Sequence, residues 1–99
     1  MLFRSTGCSL PPAHLAVHIC TPLNGQVLSG SIRFTGSGNA RQGIAKRMEL
    51  RIDGKKVAQN LQDQLKAFIT LTPGQHVATF TVVDSFDSHV SGSVGFTVR

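Results

Sequence analysis

Lys46-Arg47-Met48-Glu49-Leu50-Arg51-Ile52-Asp53-Gly54-Lys55-Lys56-Val57 decides the fold class. From Lys46 to Asp53 apolar and charged residues alternate. Met48, Leu50 and Ile52 would face inward and Arg47, Glu49 and Arg51 outward, the period of a half-buried strand. Asp53-Gly54 then supplies the two positive-φ positions of a type I′ turn, whose twist matches the strands on either side. The stretch reads as a β-hairpin with one face in a core.

The flanking sequence repeats the pattern. Upstream, Leu15, Val17 and Ile19 alternate in a first strand, which Pro22 and Asn24-Gly25 end in a turn. A second strand is expected from Val27 to Thr35, with Ile32 and Phe34 inward. Gly36 to Gly43 holds three glycines without apolar periodicity and reads as a long flexible loop, the leading candidate for recognition. Downstream, Ala58 to Phe68 fits either a helical turn near Leu61 or a loop followed by a strand through Leu65, Ala67, Ile69 and Leu71. Ile69, Thr70 and the stop at Thr72-Pro73-Gly74 favour the loop and strand. Gln75 to Asp84 forms the longest strand. Its two faces, Ala78, Phe80, Val82 and Val77, Thr79, Thr81, Val83, are both fairly apolar, so it belongs at the centre of a sheet. After the polar turn Ser85-Phe86-Asp87-Ser88, Val90 to Val98 forms the last strand with Val94, Phe96 and Val98 inward.

About seven short strands divided by Gly, Pro and Asn turns define an all-β antiparallel sandwich, favoured over a barrel because repeated glycine kinks at strand corners are missing. The expected core is Val17, Ile19, Ile32, Phe34, Leu50, Ile52, Ile69, Phe80, Val82, Val94, Phe96 and Val98. The 99 residues suit one domain, placed at 15–99 behind an N-terminal segment 1–14. No apolar run approaches the roughly 18 residues of a membrane span, so a soluble chain is expected. Met1 to Cys8 lacks the apolar stretch of a signal peptide, so the chain reads as an excised domain or a mature segment.

The order Cys20-Thr21-Pro22-Leu23-Asn24-Gly25, Arg51-Ile52-Asp53-Gly54-Lys55, Leu71-Thr72-Pro73-Gly74-Gln75-His76, Val82-Val83-Asp84 and Phe96-Thr97-Val98 resembles that of a bacterial immunoglobulin-like, fibronectin-III-like domain. The resemblance spans about Val17 to the C-terminus. It implies an immunoglobulin-like β-sandwich and a non-catalytic, monomeric module of a secreted or cell-surface protein, serving as a spacer, structural or protein-interaction element. Two departures stand out. Ser85-Phe86-Asp87-Ser88 replaces the usual Gly after the strand-ending Asp, and the inter-sheet cysteine pair and core Trp of antibody domains are missing.

The two cysteines, Cys8 and Cys20, are separated by Pro11-Pro12. A disulfide between them would tie the N-terminal segment to the first strand and stabilise it by on the order of 3 kcal/mol; the oxidising location implied by the resemblance favours it. His14 and His18 lie four apart, but on a strand that is roughly 13 Å, too far to share an ion, so no metal site is expected. His76 should hydrogen-bond to the backbone of its turn. Asp53, Asp84 and Asp87 would bind calcium only if one end of the sandwich gathered them. With no Gly-x-Ser-x-Gly elbow and no phosphate-binding Gly loop, neither a catalytic residue nor a cofactor is assigned.

Ten basic against five acidic residues give a net charge of +5. The excess lies in Arg41, Lys46, Arg47, Arg51, Lys55 and Lys56, interrupted by Glu49 and Asp53, a mixed exposed strand that argues against nucleic acid. The alternative function is a ligand-binding module for a glycan or polyanion at the cell surface, using Asn39, Arg41, Lys46, Arg47 and Arg51. A chain without Trp or Tyr leaves only Phe68 and Phe86 to stack on a sugar.

Overall fold

The computed structural model describes residues 16–39, 45–61 and 64–99. They form eight strands: β1 (Ala16–Thr21), β2 (Val27–Leu28), β3 (Ser31–Asn39), β4 (Ala45–Ile52), β5 (Lys55–Asn60), β6 (Gln64–Thr70), β7 (Gly74–Asp84) and β8 (His89–Val98). A three-stranded sheet, β1-β3-β6, faces a five-stranded sheet, β2-β8-β7-β4-β5. All pairs are antiparallel except β2 with β8.

The deciding hairpin folds as its sequence requires. Ile52 pairs with Lys55, and Asp53 and Gly54 carry φ of 54° and 86°. The two-sided apolar character of β7 is explained by its place between β8 and β4. Ala78, Phe80 and Val82 enter the core between the sheets, while Thr81 and Val83 are buried on the opposite face.

The core joins Ile32, Phe34, Met48, Leu50, Ile52, Leu65, Ala78, Phe80, Val82, Val94, Phe96 and Val98, with Val17, Ile19 and Ile69 packed at its margin. Phe34 meets Phe96 edge to face, ring centres 5.7 Å apart, an arrangement aromatic pairs prefer to a flat sandwich.

Three expectations need correction. The second strand is not continuous: Val27–Leu28 pairs with β8, and Gly30 at φ 75° lets the chain leave that sheet before Ser31 joins the other. The loop expected from Gly36 to Gly43 is strand as far as Asn39, and residues 40–44 lie outside the described residues. Gly36 and Gly38 are there because the sheets nearly touch. A Cβ on Gly36 would sit 2.7 Å from the Phe80 ring, and one on Gly38 2.5 Å from Val82 Cβ. Thirdly, Ala58 to Asn60 belongs to β5 rather than to a loop, because it pairs with Met48 to Leu50.

Candidate functional site

The outer face of the five-stranded sheet carries the most concentrated chemistry among the described residues. Pairing aligns Lys56, Arg51, Thr79 and Ser93 in one row, and Gln59, Glu49, Thr81 and Ser91 in the next. The alternation that sends Met48, Leu50 and Ile52 inward sends Arg47, Glu49 and Arg51 to this face.

Glu49 was expected to be an exposed charge. Its side chain is only 8% exposed because cations cover it. Arg47 Nε donates to Oε2 at 2.7 Å, Arg51 Nη1 reaches Oε1 at 2.8 Å, and Lys56 Nζ stands 3.7 Å from Oε2. The Arg47 hydrogen bond is the largest influence holding the Glu49 carboxyl below its ordinary pKa; burial opposes it, and Arg51 and Lys56 reinforce it. Three cations thus surround one carboxylate, and the carboxylate lies beneath them. Beside them Thr79 and Ser93 join hydroxyls at 2.9 Å, and Thr81 and Ser91 at 2.7 Å.

The residues singled out from sequence do not all converge. Arg47 and Arg51 meet on Glu49. Lys46 instead pairs with Asp87 at 3.3 Å, both side chains half-exposed or more, a contact that contributes little. Asn39 ends β3, where it pairs with Ala16 of β1 in the other sheet. Arg41 and Cys8 lie outside the described residues, as do His14 and the N-terminal segment 1–14, while Cys20 is half-buried on β1. Sequence reasoning missed the buried carboxylate and the hydroxyl pairs. Glu49 between two arginines on one strand face was the available signal.

The aspartates divide between the two ends of β7. Asp84 is buried at the far end, its Oδ1 accepting from Phe86 and Ser88 N–H, and its Oδ2 has no hydrogen-bond partner. Asp53 lies at the near end, where its Oδ1 accepts from Val77 N–H and its Oδ2 meets His76 Nδ1 at 2.7 Å. The calcium arrangement that would unite Asp53, Asp84 and Asp87 is therefore not formed. Phe68 and Phe86, 62% and 66% exposed, stand on β6 and in the β7–β8 turn, apart from the basic face.

His76 does bond to its turn, as expected: Nε2 lies 2.7 Å from Thr72 O while Nδ1 meets Asp53. Both ring nitrogens face acceptors, which suits the imidazolium, donor at both positions. The Thr72 carbonyl, then Asp53, raise the His76 pKa above its ordinary 6.5. His76 and then the Val77 amide lower that of Asp53 below 3.8. The stabilisation from a raised His pKa is complete below the unfolded value and is lost as pH rises through the folded one. That from a depressed Asp pKa is lost as pH falls through its folded value. The clasp should therefore contribute most between about pH 4 and 6.5. Urea unfolding of the unaltered chain and His76→Gln should differ more at pH 5.5 than at pH 8.5; an equal difference would remove the imidazolium from the account.

Two packed sheets in the order β1-β3-β6 and β2-β8-β7-β4-β5, with the core between them, define an immunoglobulin/fibronectin-III-like β-sandwich. Among solved structures, the fibronectin(III)-like modules of Clostridium thermocellum CbhA are similar to this chain, with a TM-score of 0.76 at 18% identity, covering 85% of this chain and 97% of that one. At that identity the likeness is one of fold. The chain matches no family model and no curated protein.

Proposed function

We propose that this domain is a non-catalytic module of a larger secreted or cell-surface protein, a monomeric spacer that holds its neighbours apart and offers a surface for contact. The observation that supports this reading is the course of the chain. Val17 and Ile19 of β1 lie beside Gly92, early in β8, and β2 runs parallel to the end of β8, Val27 opposite Thr97 and Leu28 opposite Val98. The first strands and the last therefore run the same way, so the chain enters near one end of the sandwich and leaves at the other. A ten-residue strand such as β8 spans about 34 Å. Neighbours attached to this domain would be separated by much of that length, the geometry of a strut.

The test is to join the domain between two folded reporter proteins and measure their separation by small-angle scattering. A narrow distribution with the reporters on opposite sides of the domain is expected. Reporters lying side by side would contradict the spacer.

The extracellular placement carries the Cys8–Cys20 bond with it. Intact mass without reductant should fall two units below the reduced value, and two free thiols would turn the search toward intracellular partners.

A second reading, ligand binding through the basic strand, is favoured by one observation: the three cations around Glu49 stand between 32% and 44% exposed, beside a row of hydroxyls.

A further inference from the structure

We propose that the outer face of the five-stranded sheet is a docking surface for an acidic polysaccharide, carboxylated or sulfated, held by Arg47, Arg51 and Lys56. This deepens the ligand-binding reading and rests on it.

Charge complementarity carries the inference. Glu49 is 8% exposed, whereas the side chains of Arg47, Arg51 and Lys56 are 32%, 37% and 44% exposed. The negative charge is sunk and the positive charges are raised, so an approaching ligand meets a face with a surplus of two positive charges. Glu49 also orients the guanidiniums. Each guanidinium has five N–H donors and gives Glu49 only part of them, so donors remain for an anion outside. Because both arginines are already held in place, a ligand has less side-chain freedom to freeze on binding. Arg47 and Arg51 converge on the two oxygens of one carboxylate, so with Lys56 they form a single compact cationic cluster, suited to taking one anionic group of a polymer while the strands beside it carry the rest of the chain.

The hydroxyls choose the class of polyanion. Thr79 with Ser93 and Thr81 with Ser91 continue the two rows across β7 and β8. Within each pair one O–H is donated to the other oxygen, which leaves one donor and spare lone pairs, most exposed at Ser91 and Ser93, for the mixed donors and acceptors of a sugar ring. Among the described residues the exposed aromatic rings, Phe68 and Phe86, stand on β6 and in the β7–β8 turn rather than on the strands that carry the cations. Single-stranded nucleic acid lacks the stacking platform it uses, and a neutral glycan lacks the flat ring that commonly holds it. A hydroxyl-bearing sheet face with fixed cations suits an acidic polysaccharide best.

The experiment measures affinity for heparin and for polygalacturonate, with neutral dextran and duplex DNA as comparators, at several salt concentrations. One variant carries Arg47→Gln, Glu49→Gln, Arg51→Gln and Lys56→Gln, which removes the cations without leaving a buried carboxylate unpaired. A second carries Arg33→Gln and Lys66→Gln, exposed positions on the other sheet. Both lower the net charge by two. The first should weaken binding at least tenfold and reduce the slope of log K against log salt by about 2–3, while the second leaves both nearly unchanged. In the unaltered protein, the Nε–Hε resonances of Arg47 and Arg51 should move on titration and that of Arg33 should not, a readout that needs no variant to fold. Preference for heparin would assign sulfate, and preference for polygalacturonate carboxylate; either supports the proposal. Equal weakening by both variants would reduce the effect to bulk charge and overturn it. Duplex DNA bound as tightly as both glycans would overturn the polysaccharide while keeping a polyanion site. No binding to any polyanion at about 0.15 M salt would end the ligand-binding reading itself and leave the spacer standing.

Discussion

Phe80→Ala will lower the free energy of unfolding by about 3–5 kcal/mol, the range for truncating a buried aromatic ring. Phe80 is completely buried on β7, the middle strand of the larger sheet. Its ring also lies against Gly36 of the other sheet, closely enough that the glycine has no room for a side chain. The residue facing it there, Gly36, has no side chain to move into the space. A cavity should remain and the loss should fall toward the upper part of the range. For a domain whose whole stability is of the order of 5–15 kcal/mol, that is a large fraction. Urea denaturation measures it. An unchanged midpoint would mean that the faces of β7 had been assigned the wrong way round.

The same contact zone supplies the second large effect, with the opposite steric sign. Gly38→Ala places a Cβ 2.5 Å from Val82 Cβ, closer than two such atoms approach, and the obstacle is the root of a side chain rather than its flexible end. The sheets must part locally, which should cost about 1–3 kcal/mol. Val82→Ala leaves the facing Cβ in place but removes both methyl groups, one of them at 2.6 Å from the new atom. In that background Gly38→Ala should therefore cost clearly less than alone, a coupling of about 0.5–3 kcal/mol in a double-mutant cycle. Strict additivity would show that β3 and β7 do not approach at this point.

Those glycines also mark the boundary between what the sequence made legible and what it did not. Strands with one apolar face announced themselves: the β4–β5 hairpin through its alternation and Asp53-Gly54, β8 through Val94, Phe96 and Val98, and the centrality of β7 through its two apolar faces. Gly36 and Gly38 misled because glycine is read locally as a loop former, whereas here it answers a contact with residues more than forty positions away. The signal was present in the period: Ile32, Phe34, Gly36 and Gly38 continue one face of one strand. The two-residue β2 was hidden for a similar reason, since its identity lies in its pairing with β8 rather than in its own composition. For the candidate site, the strand and its arginines were legible. The burial of Glu49 was not, because it depends on side chains from β4 and β5 folding over it, and the hydroxyl rows depend on the register of β7 and β8.

The central claim is directional: the chain traverses the sandwich from one end to the other. The most direct measurement is the distance between a label at His18, beside the start of β8, and one at Arg99, just past its end. Seven residues separate Gly92 from Arg99 along the strand, which at about 3.4 Å each gives roughly 20–25 Å, narrowly distributed. That is the result expected. A short distance, with the two labels on the same end, would contradict both the strand order and the spacer built on it.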